Sequence, residues 1–191
     1  MNNKFKILNY LGKNLDKKFT MHELSSLLDI PYASFYRTIQ DMSELLVKEK
    51  AGKSTLIAIN LRNKIIASFL AVSSWEERKE QLKKKPIINK LANELNTEDI
   101  VILFGSYAKG TATERSDIDI LVINKKGDRS ISFSKYELLF KKKINPIFVT
   151  KQEFKLMLKE KGENVGKQAL KSHIILNNSA KFWEVVTDAV Q

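Results

Sequence analysis

Two short apolar runs, each joined to a group of polar residues, constrain this chain more than any other feature. Ile100–Phe104 is a continuous apolar run that ends at Gly105–Ser106, and Ile120–Ile123 is a second run that follows Asp117–Asp119. Short apolar runs that are rich in β-branched residues and bounded by turn residues predict buried strands. The sequence therefore predicts a sheet in which one polar motif follows a buried strand and another precedes the next strand.

The second motif is an acidic pair. Asp117 and Asp119 are spaced i and i+2, so a strand places both side chains on the same face. Two neighbouring carboxylates repel each other, and a divalent cation bound between them offsets this electrostatic repulsion. Carboxylate oxygens are hard ligands that suit Mg²⁺ or Mn²⁺. We predict Asp117 and Asp119 as metal ligands and as catalytic residues.

The first motif has the residues that a phosphate chain needs. Glycine at 105 lets the backbone approach a ligand closely, and the Ser106 hydroxyl can bond a phosphate oxygen. Lys109 follows on a short predicted helix that Gly110 helps to end. We predict Gly105, Ser106 and Lys109 as nucleotide-binding residues. A phosphate site beside a metal-binding pair is suited to nucleotidyl transfer, in which an acceptor hydroxyl attacks the α-phosphorus.

The strings Phe104–Gly110 and Ser116–Val122, ten residues apart between Ser106 and Asp117, resemble the signature of the DNA polymerase beta-like nucleotidyltransferase superfamily, and in particular its minimal members. The resemblance covers roughly residues 98–150. It implies a mixed sheet with helices on one side, Mg²⁺ as cofactor and a nucleoside triphosphate, with ATP as the first candidate. Some minimal members are antitoxins that nucleotidylate a partner toxin, so the resemblance also implies a partner protein as acceptor.

The resemblance implies a third carboxylate on a neighbouring strand, near position 145, and this sequence has Asn145 there. Asparagine can offer a carbonyl oxygen to a metal but cannot accept a proton as a carboxylate does. The nearest acidic residues in the sequence are Asp128, Glu137 and Glu153. Pro146 cannot donate to a strand ladder, so the segment from Ile144 is predicted to be an edge strand. Whether the protein is an enzyme is therefore left open at this point.

Residues 1–60 show a helical pattern followed by a hairpin pattern. Thr20 and Glu23 form a capping-box pattern at the start of the second of three predicted helices, and Pro31 fits the first turn of the third. Two strands are predicted around Gly52, with basic residues near the tip. The inner apolar positions of the helices are Phe5, Leu8 and Leu11, then Met21, Leu24, Leu27 and Leu28, and then Phe35, Ile39 and Met42.

This order of elements resembles the winged helix-turn-helix DNA-binding domain, which implies duplex DNA as a partner. The outer residues of the third helix would meet base edges and the lysines of the hairpin would meet phosphates. The predicted DNA-binding residues are Tyr32, Ser34, Tyr36, Arg37, Lys48, Lys50 and Lys53. The alternative is a protein-interaction or dimerisation module, in which Tyr32 and Tyr36 pack against a partner protein.

The net charge is consistent with DNA binding by residues 1–60, but it does not exclude the alternative of a protein-interaction module. The chain carries +11, of which +7 lies in the part that ends at Lys85 and +4 in the rest. A basic module favours a polyanionic partner, although a solvated lysine-rich surface has the same composition.

Three domains are predicted: a winged helix-turn-helix at 1–60, a helical connector at 61–97, and a minimal nucleotidyltransferase domain with a helical tail at 98–191. In the connector we expect a helix capped by Asn60, an interruption at Ser73–Arg78 and a break at Pro86; its first helix could form a homodimer. His173 has no His, Cys or acidic cluster beside it and is predicted to be structural.

The composition excludes disulfide-bonded and membrane-spanning proteins. The chain has no cysteine, and no apolar run approaches the roughly 20 residues that a membrane span needs. The N-terminus has no apolar segment typical of a secretory signal. We expect an α/β (α+β) cytoplasmic protein with no membrane partner. Its function is either Mg²⁺-dependent nucleotidyl transfer by a DNA-binding protein, or non-enzymatic transcriptional regulation in which the second domain only binds nucleotide or dimerises.

Overall fold

The chain folds into a mixed α/β structure, as predicted. The computed structural model describes residues 1–191. The elements in chain order are α1 (Asn3–Lys13), β1 (Phe19–Thr20), α2 (Met21–Leu27), α3 (Tyr32–Asp41), β2 (Leu46–Ala51), β3 (Ser54–Ile59), α4 (Ile66–Lys83), α5 (Pro86–Glu94), β4 (Ile100–Phe104), α6 (Gly105–Lys109), β5 (Ile118–Asn124), α7 (Ser134–Phe140), β6 (Ile144–Thr150), α8 (Lys151–Lys159), α9 (Val165–Lys171), β7 (Ile174–Asn177) and α10 (Ser179–Val190). None of the helices combines the length and the apolar character needed to cross a bilayer.

The first 60 residues form three helices and a small antiparallel sheet in the order β1-β3-β2. The capping box at the start of α2 is present, because the Thr20 hydroxyl accepts from the Glu23 amide and the Glu23 carboxylate accepts from the Thr20 amide. Pro31 is the N-cap of α3 and not part of its first turn. The helices and the hairpin lie where the sequence predicts them, and their identity as a winged helix-turn-helix stays a prediction.

The connector differs from the prediction in two ways. Its helix α4 begins at Ile66 and not after Asn60, whose side chain instead donates to the Glu44 carbonyl at 3.1 Å. The helix also continues without interruption through Ser73 and Ser74. Both serines are buried and hydrogen-bonded: Ser73 donates to the Leu70 carbonyl, and Ser74 accepts from the Trp183 indole at 2.8 Å. The predicted break at Pro86 is present, where α5 begins.

A second, four-stranded sheet has the order β6-β5-β4-β7. Strand β5 is antiparallel to β4 and parallel to β6, which makes the sheet mixed, as the resemblance implies. Strand β6 lies at an edge, as Pro146 predicts. The other edge strand, β7, is the short apolar run that follows His173.

Helices cover both faces of this sheet, whereas the resemblance implied one side. Alternate residues of β4 point to two different apolar clusters: Ile102 belongs to one and Val101 to the other. The first cluster contains side chains of α8 and α10, and the second contains side chains of α5 and α7. The reason is the strand composition, since a strand that is apolar at every position must be covered on both faces.

One apolar cluster also joins the N-terminal helices to the sheet. It runs from Ile7 in α1 through Leu70 in α4 to Trp183 in α10. Gly12 allows the closest approach, because a β-carbon there would lie 2.8 Å from Leu70 Cδ2 and 2.9 Å from Trp183 Cη2. The three predicted domains therefore share a core, and their boundaries stay predictions.

Candidate functional site

The two polar motifs meet because of the pairing between β4 and β5. These strands are antiparallel, and Phe104 at the end of β4 lies opposite Asp119 at the start of β5. Gly105 follows Phe104 directly as the first residue of α6. Residues that the chain separates by more than ten positions are therefore brought to the same end of the sheet.

Gly105 and Asp119 are in direct contact. Gly105 has a φ of +68°, a conformation that residues with a side chain rarely adopt. A β-carbon built on Gly105 would lie 2.2 Å from Asp119 Oδ2, so the space that a side chain would need holds the carboxylate. Glycine is required here both for the turn and for the close approach.

Asn145 occupies the position at which the resemblance implied a third carboxylate. It lies opposite Asp119 in the parallel pairing of β5 with β6. Its amide nitrogen donates to Asp117 Oδ2 at 3.1 Å and lies 3.5 Å from Asp119 Oδ1. The two carboxylates therefore share a side of the sheet, as the i and i+2 spacing predicts, and an amide donor joins them.

None of the three alternative acidic residues accompanies the pair Asp117 and Asp119. Glu137 accepts a hydrogen bond from the Ile144 amide, Glu153 caps α8 through Thr150, and the carbonyl of Asp128 accepts from Asn124 at the other end of β5. The chain contains no group of three or more His, Cys, Asp or Glu side chains arranged to hold a metal. The acidic pair is accompanied by an amide and not by a third carboxylate.

Lys143 adds a positive charge that sequence reasoning missed. Its ammonium lies 3.7 Å from Asp117 Oδ2, and its side chain is 69% exposed. Because Ile118 lies opposite Ile144, the preceding residues of the two strands, Asp117 and Lys143, lie side by side. The basic run Lys141–Lys143 precedes β6 in the sequence. It would have predicted this contact with Asp117 if the pairing of β5 with β6 had been known.

The remaining predicted nucleotide residues lie on α6. Ser106 is half-buried in the first turn and Lys109 is exposed in the last. Gly110 ends the helix in the left-handed conformation, as predicted. The loop that leads to Asp117 is held by the Ser116 hydroxyl, which accepts from the Thr113 amide at 2.9 Å, and by Lys142, which donates to the Glu114 carbonyl.

Two cavities lie away from these motifs. One of about 530 Å³ lies between the end of α1 and the α8–α9 segment, and includes Lys13, Asp16 and Lys171. Another of about 530 Å³ lies at the opposite end of the sheet, beside Lys151 and Lys181. Neither includes a predicted site residue.

The predicted DNA-binding residues lie on α3 and on the β2–β3 hairpin. Tyr32, Tyr36 and Arg37 are exposed on α3, and Lys50 and Lys53 are exposed on the hairpin. These side chains are all accessible to a large partner.

Other residues of this face have partners within the chain. Lys48 donates to the Gln40 side chain at 3.1 Å, which joins the hairpin to α3. Ser34 is half-buried, and its hydroxyl accepts from the Asn3 amide at 3.1 Å. Sequence reasoning missed His22, whose ring stacks on Tyr32 with 4.2 Å between centroids and an interplanar angle of 8°. No sequence spacing indicates this contact, because it depends on how α2 packs against α3.

Comparison with known proteins addresses the second half of the chain. The family model described as the nucleotidyltransferase domain matches residues 85–190. No curated protein and no solved structure matches the chain. The matched range contains β4 to β7, the Gly105–Asp119 contact and Asn145, and it spans more than half of the 191 residues. The mixed sheet and its two motifs lie within the matched range and are consistent with this family. The chain therefore belongs to the nucleotidyltransferase domain family, whose general function is nucleotidyl transfer.

Proposed function

We propose that this protein binds a nucleoside triphosphate, with ATP as the first candidate, and transfers its nucleotidyl group to a hydroxyl of a partner protein. The observation that carries the proposal is the contact of Gly105 with Asp119, which holds the phosphate-binding turn against the acidic pair. In this proposal Gly105 and Ser106 bind the phosphate chain through the start of α6. Lys109 lies on the same helix and supplies a positive charge to the phosphates.

The donor set fits a divalent cation. Asp117 and Asp119 present carboxylate oxygens from one side of the sheet, and Asn145 contacts both. These two carboxylates would hold Mg²⁺ or Mn²⁺, and the amide of Asn145 would turn its oxygen toward the same place. When bound, the cation supplies charge stabilisation for the triphosphate.

In the proposed reaction the acceptor oxygen forms a bond to the α-phosphorus, and the bond from that phosphorus to the bridging oxygen breaks. Pyrophosphate leaves, and the hydroxyl proton passes to solvent. Asn145 cannot take this proton, so we expect slow catalysis.

We also propose that residues 1–60 form a winged helix-turn-helix that binds duplex DNA. The exposed side chains of α3 and the exposed lysines of the hairpin support this assignment, and the link from Lys48 to Gln40 joins the two. The protein would then combine a minimal nucleotidyltransferase with a DNA-binding module.

Asn145 favours a second candidate, a regulator that binds nucleotide without transferring it. The experiment that separates the two is incubation with Mg²⁺, cell lysate and ATP labelled at the α-phosphorus. Label that appears on protein from α-labelled ATP, but not from γ-labelled ATP, indicates nucleotidyl transfer. The Asp119→Asn variant should abolish it, and Asp128→Asn, which changes an exposed carboxylate outside the site, should not.

Binding of ATP measured by calorimetry, without label transfer under any condition, would support the regulator. Absence of both ATP binding and transfer would contradict the two candidates together.

A further inference from the structure

Arg78 on α4 carries a positive charge that the fold leaves without a partner. Its Nε atom is completely buried and makes no hydrogen bond. Burial lowers the pKa of Arg78, and no neighbouring carboxylate opposes this shift. Buried charged groups in proteins are normally paired, because an unpaired charge away from water is costly. A half-buried guanidinium without an acceptor therefore indicates a ligand that supplies one.

The acidic residues next to Arg78 in the sequence are already paired with other cations. Glu76 pairs with Lys79 at 2.8 Å, and Glu77 pairs with Lys13 at 2.5 Å. The fold therefore offers Arg78 no carboxylate of its own.

Arg78 lines a cavity of about 200 Å³, which we call the Arg78 cavity, and the start of α10 forms the facing part of its lining through Asn178 and Ser179. Asn178 is the N-cap of α10 but makes no side-chain cap hydrogen bond; its amide instead donates to the Glu98 and Asp99 carbonyls at 2.8 and 3.1 Å. The first amides of this 12-residue helix therefore lack the side-chain cap that such amides usually have, and the helix adds a partial positive charge at this end.

We propose that the Arg78 cavity binds the phosphate group of a small molecule, between the Arg78 guanidinium and the first amides of α10. Both groups are donors that phosphate oxygens accept from. The cavity is smaller than the roughly 300–1,000 Å³ of pockets that enclose a drug-sized ligand. It would enclose the phosphate group, while the rest of the molecule lies beside Trp75, which also lines the cavity and is 48% exposed.

This cavity is separate from the proposed nucleotide site. Asn177 in its lining pairs with Val101 on β4, and Gly105 follows four residues later, which at 3.4 Å per residue is about 14 Å away. The cavity lies between α4 and α10, which are also joined by the hydrogen bond from the Trp183 indole to Ser74. A bound phosphate would strengthen this contact between helices, so the melting temperature reports it whether or not the protein transfers nucleotides.

Other occupants fit the Arg78 cavity less well. Water would satisfy the hydrogen bonds of Arg78 but leave its charge unpaired. A carboxylate has two oxygens in one plane, whereas a phosphate group can accept from donors on both sides of the cavity.

The first experiment titrates the full chain with inorganic phosphate by calorimetry, at an ionic strength held constant with potassium chloride. The variants are Arg78→Met, which keeps an apolar stem, and Arg62→Met, a matched control that removes an exposed arginine outside the cavity. We expect Arg78→Met to bind phosphate about tenfold more weakly or worse, because a charge-assisted hydrogen bond is lost. The control should bind as the wild type does.

Thermal unfolding gives an independent measurement. Without phosphate, Arg78→Met should be at least as stable as the wild type, because an apolar side chain replaces an unpaired charge. Phosphate should then raise the melting temperature of the wild type and the control more than that of Arg78→Met. Equal responses in all three proteins would overturn the proposal. So would a response that Arg78→Met keeps and Ser106→Ala removes, since phosphate would then occupy the nucleotide site.

The second experiment places a carboxylate in the cavity. Ser179→Asp should raise the melting temperature without phosphate and reduce the response to phosphate, and the neutral control Ser179→Asn should do neither. The gain should shrink when Ser179→Asp is combined with Arg78→Met, because the two side chains are expected to interact. An equal gain with and without Arg78 would assign it to the helix dipole alone and contradict an anion shared by Arg78 and α10.

The source of the phosphate group is identified by comparing inorganic phosphate, pyrophosphate and AMP. Tightest binding of AMP, dependent on Arg78, would show that the ligand is a nucleoside monophosphate, and tightest binding of inorganic phosphate or pyrophosphate would show a free ion. Tighter Arg78-dependent binding of acetate, or of a labelled single-stranded DNA, than of any of these would overturn the assignment to a small phosphorylated molecule.

Discussion

The carboxylate of Asp119 occupies the space that a β-carbon at Gly105 would need, with Oδ2 2.2 Å from the ideal β-carbon position. We predict that Gly105→Ala displaces the carboxylate and weakens Mg²⁺-dependent ATP binding by about 10- to 100-fold, the range found when groups that orient a metal ligand are lost. Calorimetry with and without Mg²⁺ measures this directly.

Gly110→Ala is the matched control. Gly110 has a φ of +76° in the same motif, but a β-carbon there meets nothing within 4 Å. Both variants carry a backbone cost of about 1–2 kcal/mol, and only Gly105→Ala moves Asp119. Equal loss of ATP affinity in the two variants would show that backbone strain, and not the displaced carboxylate, is responsible.

Asn145→Asp would place a third carboxylate beside the acidic pair. Without Mg²⁺ we expect the variant to be less stable by about 1 kcal/mol or more, because an amide donor is replaced by a like charge. Addition of Mg²⁺ should raise its melting temperature more than that of the wild type, since the cation binds the folded state. Thermal unfolding across a Mg²⁺ series measures both effects.

The same variant tests the enzymatic role. Faster label transfer in Asn145→Asp than in the wild type would show that proton acceptance limits the reaction. A variant that is as stable as the wild type without Mg²⁺ would contradict the contact of Asn145 with the two carboxylates.

Lys50 and Lys53 on the β2–β3 hairpin are predicted to contact DNA phosphates. If each neutralises one phosphate, Lys50→Ala/Lys53→Ala should lower the slope of log affinity against log salt by about 1.8. Fluorescence anisotropy of a labelled duplex across a potassium chloride series measures the slope. Lys125→Ala/Lys126→Ala removes the same charge from an exposed loop after β5 and should leave the slope unchanged. Equal effects of the two double variants would favour a nonspecific charge effect over a hairpin contact.

Gly12 lies where α1, α4 and α10 meet. We predict that Gly12→Ala lowers the free energy of unfolding by about 1–3 kcal/mol, since the new methyl group overpacks against Leu70 and Trp183. This loss opposes the gain of about 1 kcal/mol that alanine normally brings to a helix. Urea denaturation followed by tryptophan fluorescence measures the change. A variant more stable than the wild type would show that the three helices can separate to admit the methyl group.

His173 makes stability depend on pH. Burial lowers the pKa of His173 to about 3, and its Nδ1 donates to the Ala169 and Leu170 carbonyls. The unfolded state, with a pKa near 6.5, binds the proton first, so stability falls as the pH drops below about 6.5. We expect a loss of about 2 kcal/mol between pH 8 and pH 5, measured by urea denaturation.

His22→Asn, on the exposed α2–α3 face, should keep this pH dependence, and His173→Leu should lose it. A wild-type stability that stays constant down to pH 5 would contradict the neutral, buried state of His173.

Local sequence patterns predicted most of the helices and strands correctly. Strand β4 was predicted at its observed bounds, the Thr20 capping box is present, and Pro146 indicated an edge strand. Each of these depends on contacts within a few residues or on the covalent structure of one residue. The predicted start of α4 was wrong, because the Asn60 side chain does not cap that helix. It donates instead to the Glu44 carbonyl, sixteen residues away in the chain.

The sequence by itself determined which chemical groups the candidate site contains. Glycine at 105, the carboxylates at 117 and 119 and the amide at 145 follow from the motifs and their spacing. Only the tertiary structure decided that Asn145 joins both carboxylates, that Lys143 lies beside Asp117, and that His22 stacks on Tyr32. The physical reason is that these relations depend on strand register and on which helix faces are covered, and both are set by packing between distant parts of the chain.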